Sequence, residues 1–138
     1  MKKDLQKEMF AQIQTRELFE QAKSYAYAYL DSVFDRNVFP TREAVKDLGI
    51  FDEPLPATPG DPIEILRWLH EYGSTATSTI TGGRYFGFVN GSSVPTSLAA
   101  RWLSDVWDQN AALYVISPIA SQLETTCEKW LFDHSLQR

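Results

Sequence analysis

The most constraining feature of the chain is a long apolar pattern of helical period near its beginning. From about residue 5 to residue 34, apolar side chains recur at helical spacing, and no glycine or proline interrupts them. These apolar positions are Met9, Ile13, Phe19, Ala22, Ala26, Tyr29, Leu30 and Val33. One continuous helix of that extent is roughly 45 Å long, whereas a compact chain of 138 residues is roughly 36 Å across. Either the helix breaks, or part of its apolar stripe serves another surface.

Capping residues predict four further helices. Their starts are Thr41, Asp61-Pro62, Pro95 and Ser117-Pro118. Gly49 and Gly73 are predicted to end the first two of these helices. Residues 51–60 carry three prolines and indicate an extended connector, or equally an arm along a neighbouring surface. On the helix after Pro95, the side chains predicted to face inward are Leu98, Trp102, Leu103 and Val106.

A glycine-flanked aromatic stretch occupies residues 82–93. Residues 85–89 are typical of a short extended segment, and the apolar residues 111–116 form a second run of strand-like length. Gly87 interrupts the first run, which often means that another group approaches the backbone. Asn90-Gly91-Ser92-Ser93 offers amides and hydroxyls just before a helix, a favourable place for an anionic group. The alternative is a buried strand that leads into an ordinary helix cap.

Composition excludes several classes of protein. The chain has the length of one domain, 43% hydrophobic residues and a formal net charge of −5, so we expect no nucleic-acid partner. A lone cysteine, Cys127, rules out an internal disulfide framework and is predicted to be a small core residue. No apolar run approaches the roughly 18 residues of a membrane span. We therefore expect a mainly α-helical, cytoplasmic protein with no membrane partner.

The residues alone predict no catalytic or metal-binding set. Neither His70 nor His134 lies in a nucleophile motif with Ser92 or Ser93, and no second metal ligand stands at a suitable spacing. The glycines follow neither phosphate-binding nor dinucleotide-binding spacing. By spacing alone the sequence indicates a helical domain with one glycine-flanked segment suited to lining a site.

Several motifs occur in a defined order along the chain. They are Arg36-Asn37-Val38-Phe39-Pro40, Arg84-Tyr85-Phe86-Gly87-Phe88-Val89-Asn90-Gly91, Arg101-Trp102-Leu103, Trp107-Asp108-Gln109-Asn110, Ser117-Pro118-Ile119-Ala120-Ser121-Gln122-Leu123-Glu124 and Trp130-Leu131. Together they resemble the N-terminal part of the pyridoxal-phosphate-dependent group II amino-acid decarboxylases, which include the aromatic-amino-acid, glutamate, histidine and diaminobutyrate enzymes. The resemblance runs from about residue 17 to the end and is specific for the superfamily rather than for a substrate.

The resemblance implies the N-terminal helical segment of a fold-type-I enzyme, a carboxy-lyase that acts as an obligate homodimer on an amino acid. Residues 1–60 would clamp the partner subunit, and residues 61–138 would lead towards the cofactor domain. The resemblance places Phe88, Val89, Asn90 and Gly91 at the substrate pocket, and Asn110 and Ala112 at the neighbouring subunit's site. Aromatic-amino-acid decarboxylases have Tyr and Pro where this chain has Phe88 and Asn90, so an acidic or small substrate is equally open.

The chain also departs from the family in what it lacks. The large α/β cofactor domain is expected to follow this region, and no His-Lys pair is present to bind pyridoxal phosphate. The resemblance therefore implies a chain that is inactive by itself and pairs with a second copy or with the missing C-terminal part. Two other interpretations remain: a stand-alone helical protein-interaction module derived from such an enzyme, and a small-ligand binder that uses the glycine-rich segment.

Overall fold

The computed structural model describes residues 5–135 and is mainly helical, which confirms the predicted secondary-structure class. The α-helices are α1 (Leu5–Thr15), α2 (Glu17–Ser32), α3 (Arg42–Asp47), α4 (Pro62–Trp68), α5 (Pro95–Trp107) and α6 (Pro118–Ser135). Single turns of 3-10 helix occupy Leu48–Phe51 and Ser74–Ala76, and a π-helical turn occupies Leu69–Gly73. The chain divides into two compact units, Met1–Ser92 and Ser93–Arg138. The predicted functional division, with residues 1–60 as a dimer clamp and residues 61–138 leading towards the cofactor domain, stays a prediction.

The predicted long helix breaks at Arg16. This residue has φ 58° and ψ 2°, a left-handed conformation that separates the last residue of α1 from the first residue of α2. The first of the two alternatives is therefore confirmed. The apolar stripe of α1 stays exposed after the break. Its large apolar side chains are more than half exposed: Leu5, Met9, Phe10 and Ile13.

Helix α2 packs against the segment that runs from α4 to residue 79. The rings of Tyr25 and His70 stack in parallel with their centroids 4.0 Å apart. One turn further along α2, the hydroxyl of Tyr29 lies 2.9 Å from Oγ1 of Thr77. Val33, just after α2, is 3% exposed and is the one large apolar side chain that is buried within residues 5–135. The first unit is therefore held by polar and aromatic contacts more than by an apolar core.

The predicted helix starts in the first unit are confirmed at atomic detail. Oγ1 of Thr41 accepts a hydrogen bond from the amide of Ala44 at 3.2 Å, and Oδ1 of Asp61 accepts from the amide of Ile63 at 2.9 Å. The predicted glycine ends differ from the structure, since α3 ends at Asp47, α4 ends at Trp68, and Gly49 lies inside the 3-10 turn. Gly73 closes the π-helical turn with φ −69°, and none of the described glycines has a positive φ.

The two predicted extended segments are wrong, since residues 5–135 contain no β-strand. Residues 85 and 86 lie in irregular backbone and residues 88 and 89 form a turn, while most of residues 111–116 form turns closed by a 3.0 Å hydrogen bond from the amide of Ile116 to the carbonyl of Leu113. A strand needs a neighbour that pairs its backbone groups. No such neighbouring strand is present in the described part of the chain. The backbone groups of these apolar runs therefore form hydrogen bonds within the same run or with residues close to it.

The second unit contains α5 and α6. Helix α5 ends at Asp108, whose φ of 49° is left-handed, and Ser117 lies buried before α6, where its Oγ accepts from the amide of Ala120 at 3.4 Å. The prediction that the apolar face of α5 is inward is wrong for Trp102, Leu103 and Val106, which are exposed. Cys127 is exposed as well, contrary to its predicted core role. This unit does not cover these side chains, because two helices offer little surface for burying them.

The length and apolar character of the described helices show whether one of them could cross a membrane. Within residues 5–135, none has both the length and the apolar character that a bilayer crossing requires.

Candidate functional site

Residues 81–92 form a closed surface loop, here named the glycine loop, which carries the predicted substrate-binding residues. The two ends of the loop meet where Oγ of Ser92 donates to the carbonyl of Thr81 at 3.4 Å. Compact loops of this length with adjoining ends are frequently functional. The base of the loop lies against the end of α2, and its tip, residues 86–90, projects into solvent.

The base of the glycine loop begins at a buried threonine. Thr79 is 3% exposed; its amide donates to the carbonyl of Val38 at 2.9 Å, and its Oγ1 donates to the carbonyl of Asn37 at 2.8 Å. Gly82 lies over this threonine so closely that an added Cβ would stand 2.9 Å from Cγ2 of Thr79 and 3.4 Å from the carbonyl oxygen of Val33. A larger residue at position 82 would force its neighbours to shift, because the methyl group of Thr79 and the carbonyl of Val33 come this near.

Arg84 ties the loop to the end of α2. Its guanidinium donates to the carbonyl of Phe34 at 3.2 Å and to the carbonyl of Arg36. A cation at a helix C-terminus is favourable, since the carbonyl groups there carry partial negative charge. These bonds bring together two of the motifs that the sequence shows 48 residues apart, residues 36–40 and 84–91.

The side chain of Arg36 extends this attachment to the segment after α4. Nη1 donates to the carbonyl of Ser74 at 2.7 Å, Nε donates to Oγ of Ser32 at 2.9 Å, and the guanidinium lies 4.2 Å from the centre of the Tyr29 ring. The spacing of residues in the sequence does not predict the roles of Arg36, Thr79 and Arg84. The hydrogen bonds join residues that are far apart in the chain, so local spacing gives no sign of them. The sequence offers one indication for the two arginines, which is that each begins one of the motifs.

The tip of the loop carries Phe88 and Val89 on a tight turn. The amide of Asn90 donates to the carbonyl of Gly87 at 3.2 Å, and the two residues between them have φ of 54° and 57°. Their side chains are exposed to 92% and 105% of their reference areas. The group that approaches the backbone of Gly87 is the ring of Tyr85, whose Oη would lie 3.2 Å from an added Cβ. The predicted close approach is thus made by a neighbouring side chain.

The other predicted site residues are exposed. At Gly91, an added Cβ would meet no atom within 4 Å. Asn110 and Ala112 lie in the second unit, where Oδ1 of Asn110 accepts from the amide of Ala112 at 2.9 Å. This local turn brings the two residues together. Their assignment to a partner subunit's site stays a prediction.

A cluster of three charged side chains lies outside the glycine loop, on α4 and the π-helical turn. Arg67 donates to Glu64 and to Glu71, with its Nη1 2.7 Å from Oε2 of Glu71. The hydrogen bond from Arg67 lowers the pKa of Glu64, and the two carboxylates raise the pKa of Arg67. All three side chains are partly exposed, at spacings of three and four residues, so they stabilise a helix rather than form a site.

Neither a metal nor pyridoxal phosphate fits the residues that the structure describes. No group of three or more His, Cys, Asp or Glu side chains gathers within residues 5–135. Pyridoxal phosphate requires a lysine and an acidic partner for its ring nitrogen. Lys7, Lys46 and Lys129 are exposed on helices, and Lys23 pairs with Glu20 on α2. Lys2 and Lys3 lie outside the described residues.

Comparison with known proteins returns nothing: no family model, no curated protein and no solved structure matches the chain.

Proposed function

We propose that the chain is the N-terminal portion of a pyridoxal-phosphate-dependent amino-acid decarboxylase, a carboxy-lyase of the cytoplasm. Its roles are to supply dimer contacts and one wall of the substrate pocket. The ordered motifs between Arg36 and Leu131 support the proposal. The observation that carries it is the contact of Arg84 with the carbonyl of Arg36, because it joins two of those motifs in space.

The substrate wall in this proposal is the tip of the glycine loop. Phe88 and Val89 are exposed there, and no atom lies within 4 Å of the position that an added Cβ would take at Gly91. Open backbone beside a glycine allows a ligand to approach closely. The anchored base supports this role, because it fixes the position of the loop that carries the tip.

Dimer contacts are the second role. The apolar residues of α1 stay exposed after the helix breaks at Arg16, and contiguous exposed apolar surface marks interaction sites. The partner in this proposal is a second copy of the chain or the C-terminal part of the enzyme. Asn110 and Ala112 would then reach the partner subunit's site.

The proposal gives this chain no catalytic residue. Pyridoxal phosphate supplies the electron sink for the carbanion that decarboxylation leaves, and it is bound through a lysine. The sequence has no His-Lys pair, and the described lysines lie on exposed helix surfaces. The chain by itself is therefore predicted to release no carbon dioxide from any amino acid.

Complementation tests the proposal. The chain is mixed with the lysine-bearing cofactor domain of a group II decarboxylase that lacks its own N-terminal segment, and carbon dioxide release is measured for a panel of amino acids. Restored release for at least one amino acid supports the proposal. The opposing result is stoichiometric labelling of one lysine of the isolated chain after incubation with pyridoxal phosphate and borohydride reduction.

The rival function is a stand-alone helical interaction module. It is favoured by the exposed apolar side chains of α5 and α6, among them Leu103, Val106 and Leu131. The mixing experiment separates the two functions. A module binds the cofactor domain without restoring decarboxylation, whereas the proposed portion of an enzyme restores it.

A further inference from the structure

The tip of the glycine loop combines two features that oppose each other. Phe88 and Val89 are both in the left-handed region, at φ 54° and 57°. This conformation brings Cβ too close to the carbonyl oxygen in every residue except glycine. It is least favourable for a β-branched residue such as Val89.

Strained backbone persists where surrounding structure holds it in place, and the tip lacks such support. Phe88 and Val89 expose 92% and 105% of their reference areas, so no packing contact fixes either side chain. One exposed hydrogen bond, from the amide of Asn90 to the carbonyl of Gly87, closes the turn. Exposed hydrogen bonds contribute little because water replaces them readily.

The base of the same loop is held from three sides. Arg84 donates to two carbonyls behind α2, Gly82 lies on Thr79, and Ser92 closes the loop on Thr81. A change of backbone conformation at residues 88 and 89 can therefore take place at the tip while the base stays attached. Gly87, directly before the turn, provides the backbone freedom that such a change requires.

We propose that the tip is a two-state element, which exchanges between the left-handed turn and an extended form while the base of the loop stays fixed. In the extended form, Phe88 and Val89 point to opposite sides of the backbone. The exchange thus changes which apolar side chain the loop presents at the predicted substrate wall. This inference concerns the isolated chain and holds whether or not the chain belongs to a decarboxylase.

Nuclear Overhauser effects distinguish the two states. In the turn, the amide protons of residues 88, 89 and 90 are neighbours, whereas in the extended form each amide proton lies near the preceding Hα. The ratio of these cross-peaks is measured for the wild type, Val89→Gly and Val89→Ala. Glycine removes the left-handed penalty, so Val89→Gly raises the ratio of turn to extended form about tenfold. Val89→Ala is the matched control, because alanine removes the branched side chain and keeps most of that penalty.

The expected result is a mixture of both cross-peak sets in the wild type, a shift to the turn in Val89→Gly and a small change in Val89→Ala. Two results overturn the proposal: turn cross-peaks alone in the wild type, unchanged by glycine, or extended cross-peaks alone in all three proteins. Neither outcome depends on decarboxylation, so a failure here is distinct from a failure of the complementation experiment.

Discussion

The guanidinium of Arg84 donates a hydrogen bond to the backbone carbonyl of Arg36, across 48 residues of sequence. A second bond, to the carbonyl of Phe34, joins the same side chain to the turn that follows α2. The glycine loop is therefore positioned by the end of a helix. Loops that carry function are commonly held by such a scaffold.

Replacement of Arg84 tests this attachment. Arg84→Ala removes both donors, and we expect a loss of about 1 kcal/mol in the free energy of unfolding, since these bonds are exposed to solvent. Urea denaturation followed by circular dichroism measures the loss. Arg42→Ala, at an exposed arginine that begins α3, is the control and should change stability by less than about 0.5 kcal/mol. Equal effects for the two variants would contradict the assigned role of Arg84.

Two adjacent glycines provide a matched pair for the base of the loop. An added Cβ at Gly82 would collide with Thr79 and approach backbone carbonyls, whereas at Gly83 it would meet no atom within 4 Å. We expect Gly82→Ala to destabilise the fold by about 1–3 kcal/mol and Gly83→Ala to be neutral or slightly stabilising. Thermal denaturation compares them directly. If Gly82→Ala matches the wild type in stability, the close packing on Thr79 is incorrect.

The break between α1 and α2 depends on a left-handed arginine. Glycine adopts φ 58° without the Cβ penalty, so Arg16→Gly is expected to be about 1 kcal/mol more stable than Arg16→Ala. Chemical denaturation of the two variants gives the difference. A higher helix content and a higher stability in Arg16→Ala would show instead that α1 and α2 can join into one helix.

The stacked pair of Tyr25 and His70 leaves one polar atom without a hydrogen bond. Nδ1 of His70 is buried, and no donor or acceptor within residues 5–135 reaches it. His70→Phe keeps an aromatic ring and removes this atom, so we expect unchanged or increased stability. His70→Ala removes the stack and is expected to lose about 0.5–1.5 kcal/mol. Urea denaturation ranks the variants, and a larger loss in His70→Phe than in His70→Ala would contradict this account.

The ion pair of Glu64 and Arg67 predicts a pH dependence whose sign is defined. The hydrogen bond from Arg67 lowers the pKa of Glu64 in the folded chain. The stabilising contribution is therefore complete above the unfolded pKa and is lost as the pH falls through the folded pKa. NMR titration of the Glu64 carboxyl carbon should show this pKa rising towards its ordinary value in Arg67→Gln. In Glu71→Gln the pKa should stay low, because Arg67 remains; a rise there would show that Glu71 is needed to hold Arg67 against Glu64.

Local sequence determined those features whose interactions lie within one helical turn. Thr41 and Asp61 begin α3 and α4 because each side chain bonds an amide two or three residues ahead. The predominance of helix follows in the same way from the spacing of apolar residues along α2 and α5. These were predictable because the partners lie next to each other in the chain.

Tertiary structure alone decided how the glycine loop is held and what became of its aromatic run. Thr79 and Arg84 bond carbonyls that lie 41 to 50 residues earlier, and no spacing rule connects such positions. Phe88 and Val89 have the composition of a strand, yet they form a turn because no neighbouring strand is present within residues 5–135 to pair with them. The preference of a residue for helix or strand is a local property. The partner that forms hydrogen bonds with its backbone depends on the tertiary structure.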